Sequence, residues 1–197
     1  MNEPGISYAE NYGELRRLAS LVPADQAVVE IGTFRGASAE VLGHGAKEGG
    51  GAHVWTVDPH DLPGCRTTTG FSRRKTRRRL NFTDPEHRIA ATRRLQDAGL
   101  LGSRVTMINA FSTDAAEQWS GPKIGMLYLD GDHRQGAVRL DFSAWERHLA
   151  SHAIVAFDDY DPETFPGVVA TVWKLVDKSI LTPPTLVGGM AVTRKVR

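Results

Sequence analysis

Short apolar runs that stop abruptly on acids leave few folds open to this chain. "IGMLYL" (124–129) breaks off into "DGDH" (130–133), and "AIVAF" (153–157) into Asp158 and Asp159. "QAVVEIG" (26–32) and "AHVWTVD" (52–58) have the same character, and "SRVTMIN" (103–109) reads as a further strand. A run of this kind without polar alternation marks a strand covered on both faces. Burying it is favourable, whereas setting two or three ionisable groups at its end has a desolvation cost that needs a reason.

The segments between these strands carry helical patterns. Tyr8, Tyr12, Leu15 and Leu18 recur at helical spacing, predicting an N-terminal helical segment within residues 1–22. "GASAEVLGHG" begins a helix that glycines close. Asp84-Pro85 has the form of an N-cap followed by proline at the first helical position, opening a helix that Gly99 ends. Ser112 is expected to cap a short helix reaching Trp119. Val138, Phe142, Trp145 and Leu149 form a stripe that packs into the core. A last helix runs through Val168, Val172 and Leu175, and two strands flank a tight turn at Gly188-Gly189. Strands alternating with helices predict an α/β, Rossmann-like fold with a mostly parallel sheet covered on both faces. Ligands in such sheets bind beyond the carboxyl ends of the strands, where the acids stand.

A chain of 197 residues suits one domain with a sizeable core, here 1–197. No apolar stretch approaches the ~20 residues that span a bilayer. The first ten residues lack the layout of a signal peptide. Cys65 is the only cysteine, which excludes an intrachain disulfide and a cysteine-based zinc site. A cytoplasmic protein that engages no membrane is expected.

The net charge of +1 hides an asymmetry. Arg73 to Arg79, "RRKTRRR", holds six of the twenty-four basic residues and no acid, so the remainder carries eighteen bases against twenty-three acids, or −5. The run sits in an insertion over 61–83, longer than a usual connection. It reads either as a solvated face or as a lid whose arginines hold a sugar chain or a phosphate.

At the turn from the first strand into its helix, "VVEIGTFRGAS" supplies Glu30, Gly32, Gly36 and Ser38. Glycines there permit close approach of a ligand to the backbone, and a helix N-terminus favours negative groups. The E-x-G-x-x-x-G spacing departs from the G-x-G-x-x-G of pyrophosphate binders. Glu30 suits the ammonium of an amino-acid moiety better than a diphosphate. Asp58 ends the second strand, where it can accept hydrogen bonds from ribose hydroxyls. Ala110 and Phe111, past the third strand, lie where an adenine edge fits.

In this order, "VVEIGTFRGAS", "VWTVD", "LYLDGDH" and "AFDDY" resemble the class I S-adenosylmethionine-dependent methyltransferases. Among these the chain is most similar to the small metal-dependent sugar O-methyltransferases, of the macrolide-deoxysugar and polymethylated-polysaccharide type. The resemblance runs from about Val28 to Tyr160. It implies a seven-stranded sheet with a reversed final strand and S-adenosylmethionine along Glu30, Gly32, Asp58 and Phe111.

In that architecture the fourth and fifth strands are adjacent, so Asp130, Asp158 and Asp159 converge. Clustered carboxylates repel one another and have raised pKa values unless a cation joins them. An all-oxygen set suits Mg²⁺ with waters in its other positions, two of which vicinal sugar hydroxyls can displace. His133 is the expected general base, since imidazole ordinarily titrates near 6.5, and the resemblance supports that role. Should His133 not serve, Asp130 takes its place. Asp132 is expected merely to cap the next helix. Of the other histidines only His60, two residues past Asp58, is within reach of the cofactor.

The sequence therefore predicts a Mg²⁺-dependent O-methyltransferase acting on a sugar or oligosaccharide, without nucleic acid as partner; a homodimer is left open. The rivals are a catechol-type O-methyltransferase and, on the strength of the arginine run, an RNA methyltransferase. A nicotinamide-dependent oxidoreductase lacks its pyrophosphate fingerprint.

Overall fold

The computed structural model describes residues 8–62 and 85–197. The 73–79 run, most of the 61–83 insertion, Cys65 and Asp84 lie outside the described residues. A seven-stranded sheet occupies the centre: β1 (Ala27–Ile31), β2 (His53–Val57), β3 (Val105–Ile108), β4 (Ile124–Leu129), β5 (Leu149–Phe157), β6 (Thr185–Val187) and β7 (Met190–Arg194). Their order is β3-β2-β1-β4-β5-β7-β6. The pairs from β3 to β5 are parallel, while β7 runs antiparallel to both β5 and β6. This is the Rossmann-like sheet with its reversed strand, and the closing hairpin places β7 between β5 and the edge strand β6.

The helices are α1 (Tyr8–Ser20), α2 (Ala37–Glu48), α3 (Pro85–Asp97), α4 (Ser112–Glu117), α5 (Gln135–Trp145) and α6 (Pro166–Asp177). Every residue of β1 and β4 is buried, which explains why these strands read as unbroken apolar runs. Each Val, Leu or Ile so buried contributes roughly 1.5–3 kcal/mol. The sheet splits the core in two. Leu15, Leu18, Val28, Leu42 and Leu95 pack on one face, with Val29, Leu127, Phe142, Trp145 and Val172 on the other.

Two expectations for local structure change. Ser112 is the first residue of α4, not its cap; the N-cap is Phe111. The Ser112 hydroxyl instead accepts a hydrogen bond from Trp145 Nε1 at 3.0 Å, so a tertiary partner outcompetes the local backbone. The core stripe through Val138, Phe142 and Trp145 holds, but Leu149 belongs to β5, beyond a 3₁₀ turn at Glu146–His148. Among the described residues no helix is long and apolar enough to cross a membrane.

Candidate active site

Register alone brings the acids level. Ile31 is the common partner of Val57 and Leu129, and Leu129 in turn pairs with Phe157. The next residue of each strand then hydrogen-bonds back to its neighbour. Gly32 N donates to Val57 O (2.9 Å), Asp130 N to Ile31 O (2.8 Å) and Asp158 N to Leu129 O (3.0 Å). Asp58 N donates likewise to Ile108 O (3.1 Å). Gly32, Asp58, Asp130 and Asp158 thus form one row along the carboxyl edge of the sheet.

Two residues earlier, Thr56, Glu30 and Tyr128 share a row and a face. Glu30 is fully buried. Its Oε2 accepts the Thr56 hydroxyl, Thr56 in turn meets Thr33, and Ser38 of α2 lies beside the same carboxylate. Its Oε1 has no hydrogen-bond partner among the described residues. Burial pushes its pKa from 4.5 to about 7, against the pull of the Ser38 and Thr56 hydrogen bonds and aided by the Asp58 and Asp158 charges.

The glycine turn also serves neighbours within the protein. Gly32 has φ 101°, and a Cβ there would overlap the carbonyl oxygen of Asp130. Its bareness lets two strand ends meet, and does not simply open the backbone to a ligand. Gly36, at φ 77°, is the N-cap of α2 and lies against Ala91 of α3. Between the glycines, Phe34 N donates to Asp58 Oδ2 at 2.9 Å, while His60 N donates to Asp58 Oδ1 at 2.7 Å. Asp58 thus pins two loops while remaining partly exposed (16%). Ala110 and Phe111 follow β3 next to it, both half-buried.

Asp130, Asp158, Asp159 and His133 come together at the ends of β4 and β5. Asp130 and Asp158 lie side by side, each carboxylate in the other's field. Solvent reaches 28% of the Asp130 side chain, the rest being buried. Burial, then the charges of Glu30 and Asp159, hold its pKa well above the usual carboxylate range. Asp158 is raised by burial and by Asp130 and Asp159. The buried Tyr128 hydroxyl donates to Asp130 Oδ2 at 3.4 Å. Asp159 adopts the left-handed region (φ 51°), a conformation Asp tolerates better than most residues. His133 Nε2 lies 3.3 Å from Asp159 Oδ2 and 3.7 Å from Asp130 Oδ1, without the geometry of a hydrogen bond to any described group. Its ring rests against Phe165, centroids 4.7 Å apart.

His133 precedes α5 by two residues and is not its first turn. Asp132 is no helix cap either: its carboxylate accepts the backbone N–H (2.9 Å) and the guanidinium of Arg134, forming a local turn and an ion pair. Among the described residues no three His, Cys, Asp or Glu side chains surround one point as metal ligands do.

A family model described as "Methyltransferase domain" matches residues 29–160, from the first strand to just past the Asp158-Asp159 pair. The chain belongs to this methyltransferase-domain family. Solved structures agree on the fold. Cofactor-bound Rv0187 from MTB is 19% identical, with 95% of this chain and 80% of that chain covered at a TM-score of 0.69. The O-methyltransferase from Bacillus cereus, in complex with SAH, is 15% identical over 93% and 80% of the two chains, with a TM-score of 0.64. An rRNA methylase from Streptococcus thermophilus is 14% identical over 100% and 99%, at 0.60. An O-methyltransferase and an rRNA methylase therefore share this scaffold, and the acceptor must be argued from the site.

Sequence reasoning passed over Thr33, Thr56, Tyr128 and Asn11. The first three read as ordinary strand or turn residues, and Asn11 as one polar position on a helix.

Proposed function

We propose that this methyltransferase moves a methyl group from S-adenosylmethionine to a hydroxyl of a sugar or oligosaccharide, with His133 as general base and a divalent cation at Asp130, Asp158 and Asp159. The observation that carries the reading is the cluster itself: three carboxylates and an imidazole on the carboxyl edge, beside a buried Glu30 with an unsatisfied oxygen. The donor's fit rests on that oxygen, which an ammonium group would satisfy, and on Asp58, whose partly exposed carboxylate has lone pairs left for ribose hydroxyls. Ala110 and Phe111 would border the adenine.

The acids fit a hard cation by donor chemistry, being all-oxygen and neighbours at the ends of β4 and β5. A cation at these residues would relieve their mutual repulsion, orient the acceptor and lower its hydroxyl pKa. His133 Nε2 takes the hydroxyl proton, and Asp130 and Asp159 stabilise the imidazolium. The oxygen–carbon bond then forms as the sulfur–carbon bond breaks, leaving a neutral thioether, while Glu30 and Asp58 hold the donor in line.

A planar aromatic diol is the second reading, favoured by the Phe165 ring beside His133. An acceptor screen with radiolabelled S-adenosylmethionine and Mg²⁺, spanning sugars, catechols and RNA, tests both. Label transferred to sugars supports the first reading and label in catechols the second. Label in RNA alone would displace both.

A further inference from the structure

The N-terminal helix reaches into the acid cluster through one side chain. Asn11 is on α1, yet only 3% of it is exposed, and both ends of its amide are engaged. Its Nδ2 donates to Asp158 Oδ1 at 3.1 Å. Its Oδ1 accepts the N–H of Gly189, at the β6–β7 turn, at 3.0 Å. The carbonyl of Gly189 then takes the N–H of Tyr160 at 2.8 Å. These three bonds close a ring from α1 through the hairpin turn back to the segment carrying Asp158 and Asp159. The neighbouring Tyr12 lies in the same field: its hydroxyl is raised in pKa by burial first, then by the charges of Asp130 and Asp158.

A buried primary amide is costly unless each polar atom is paired. Tying α1 to the sheet does not call for one, since Leu15 and Leu18 already bury that helix in the core. What the amide adds is directional. It fixes one oxygen of Asp158, and through Gly189 it holds the backbone that follows Asp159. Partners of this kind, which orient a ligand without touching the ion, set metal affinity in known sites.

We propose that Asn11 is a positioning residue for a divalent-cation site at Asp130, Asp158 and Asp159, so that α1 forms part of the site. This inference rests on the cation reading given above. The test is Mn²⁺ binding followed by the EPR signal of free Mn²⁺, on wild type, Asn11→Ala and Arg17→Ala. Arg17→Ala cuts an exposed pair with Glu14 on the same helix and controls for loosening of α1. Asn11→Ala should weaken Mn²⁺ binding about 10–100-fold, the usual effect of losing such a partner. Arg17→Ala should leave it unchanged, and calorimetric binding of S-adenosylhomocysteine should be the same in all three.

Equal Mn²⁺ affinity in folded Asn11→Ala and wild type overturns the role of Asn11. No Mn²⁺ binding by wild type overturns the cation reading instead, so the two failures are distinct. If Asn11→Ala does not fold, the side-chain amide resonances of Asn11 in wild type decide the matter. They should shift on addition of Mg²⁺, and unmoved resonances at saturating Mg²⁺ overturn the proposal.

Discussion

Gly32 and Asp130 abut so closely that a Cβ on the glycine would overlap the aspartate's carbonyl oxygen. The turn expected to cradle the methyl donor is thus in contact with the strand end that presents the acid cluster. Gly32→Ala meets both a backbone clash and an unfavourable φ of 101°. It should destabilise the fold by about 1–3 kcal/mol and lower the melting temperature by roughly 2–12 °C. Calorimetry should also show weaker S-adenosylhomocysteine binding. An unchanged melting curve would remove the clash from the account.

Glu30 makes both stability and cofactor affinity depend on pH. Burial lifts its pKa from 4.5 to about 7, so the folded state holds a proton that the unfolded state has released. The associated stability is fully present below about 4.5 and declines as pH rises through about 7, by a total of ~3 kcal/mol for such a shift. Asp141, raised from 3.8 to about 6 chiefly by burial, acts in the same sense. Chemical denaturation of the ligand-free protein should therefore give lower stability at pH 8 than at pH 5.5. Binding an ammonium group needs the ionised form, so S-adenosylhomocysteine affinity should rise between pH 6 and 8. Glu30→Gln should flatten both profiles, and a flat wild-type profile would refute the assignment.

The sheet was legible because strands covered on both faces cannot alternate, and the acids were conspicuous because they end those runs. Their common level was not legible. It depends on Ile31, Val57, Leu129 and Phe157 falling in one register, and no local pattern encodes a cross-strand offset. Thr56 and Tyr128 escaped notice because both favour strands, so nothing distinguished their polar atoms from scaffold. Asn11 meets Asp158 across 147 residues of chain. Ser112 misled for the converse reason: its local preference for capping is real, but Trp145 claims the hydroxyl. Tertiary partners decide such cases.

Asp58 should govern donor affinity, though not through the ribose alone. Each of its oxygens already holds a backbone N–H, from Phe34 or His60. Asp58→Ala would remove hydrogen bonds to a charged group, worth ~1.5–3 kcal/mol each, and release both loops. S-adenosylhomocysteine affinity should fall about 10–100-fold by calorimetry. Equal affinity in the mutant would take Asp58 out of the donor site.

The acid cluster and His133 should fail in different ways when altered. Asp159→Asn removes one charge from the cluster while keeping an oxygen and its left-handed backbone, so it should weaken Mn²⁺ binding, and excess Mg²⁺ or Mn²⁺ should restore part of the activity. His133→Ala leaves all three carboxylates in place, so cation and donor should still bind while turnover falls about 10²–10⁴-fold, the usual share of a general base. Loss of the imidazole also relieves the contact with Phe165, so melting temperature must be checked alongside rate. EDTA should abolish activity and leave the circular dichroism spectrum unchanged, because buried apolar side chains on both faces hold the sheet. Full activity in EDTA would dismiss the cation. Full activity in His133→Ala would pass the proton to Asp130, whose basicity burial and the charges of Glu30 and Asp159 already raise.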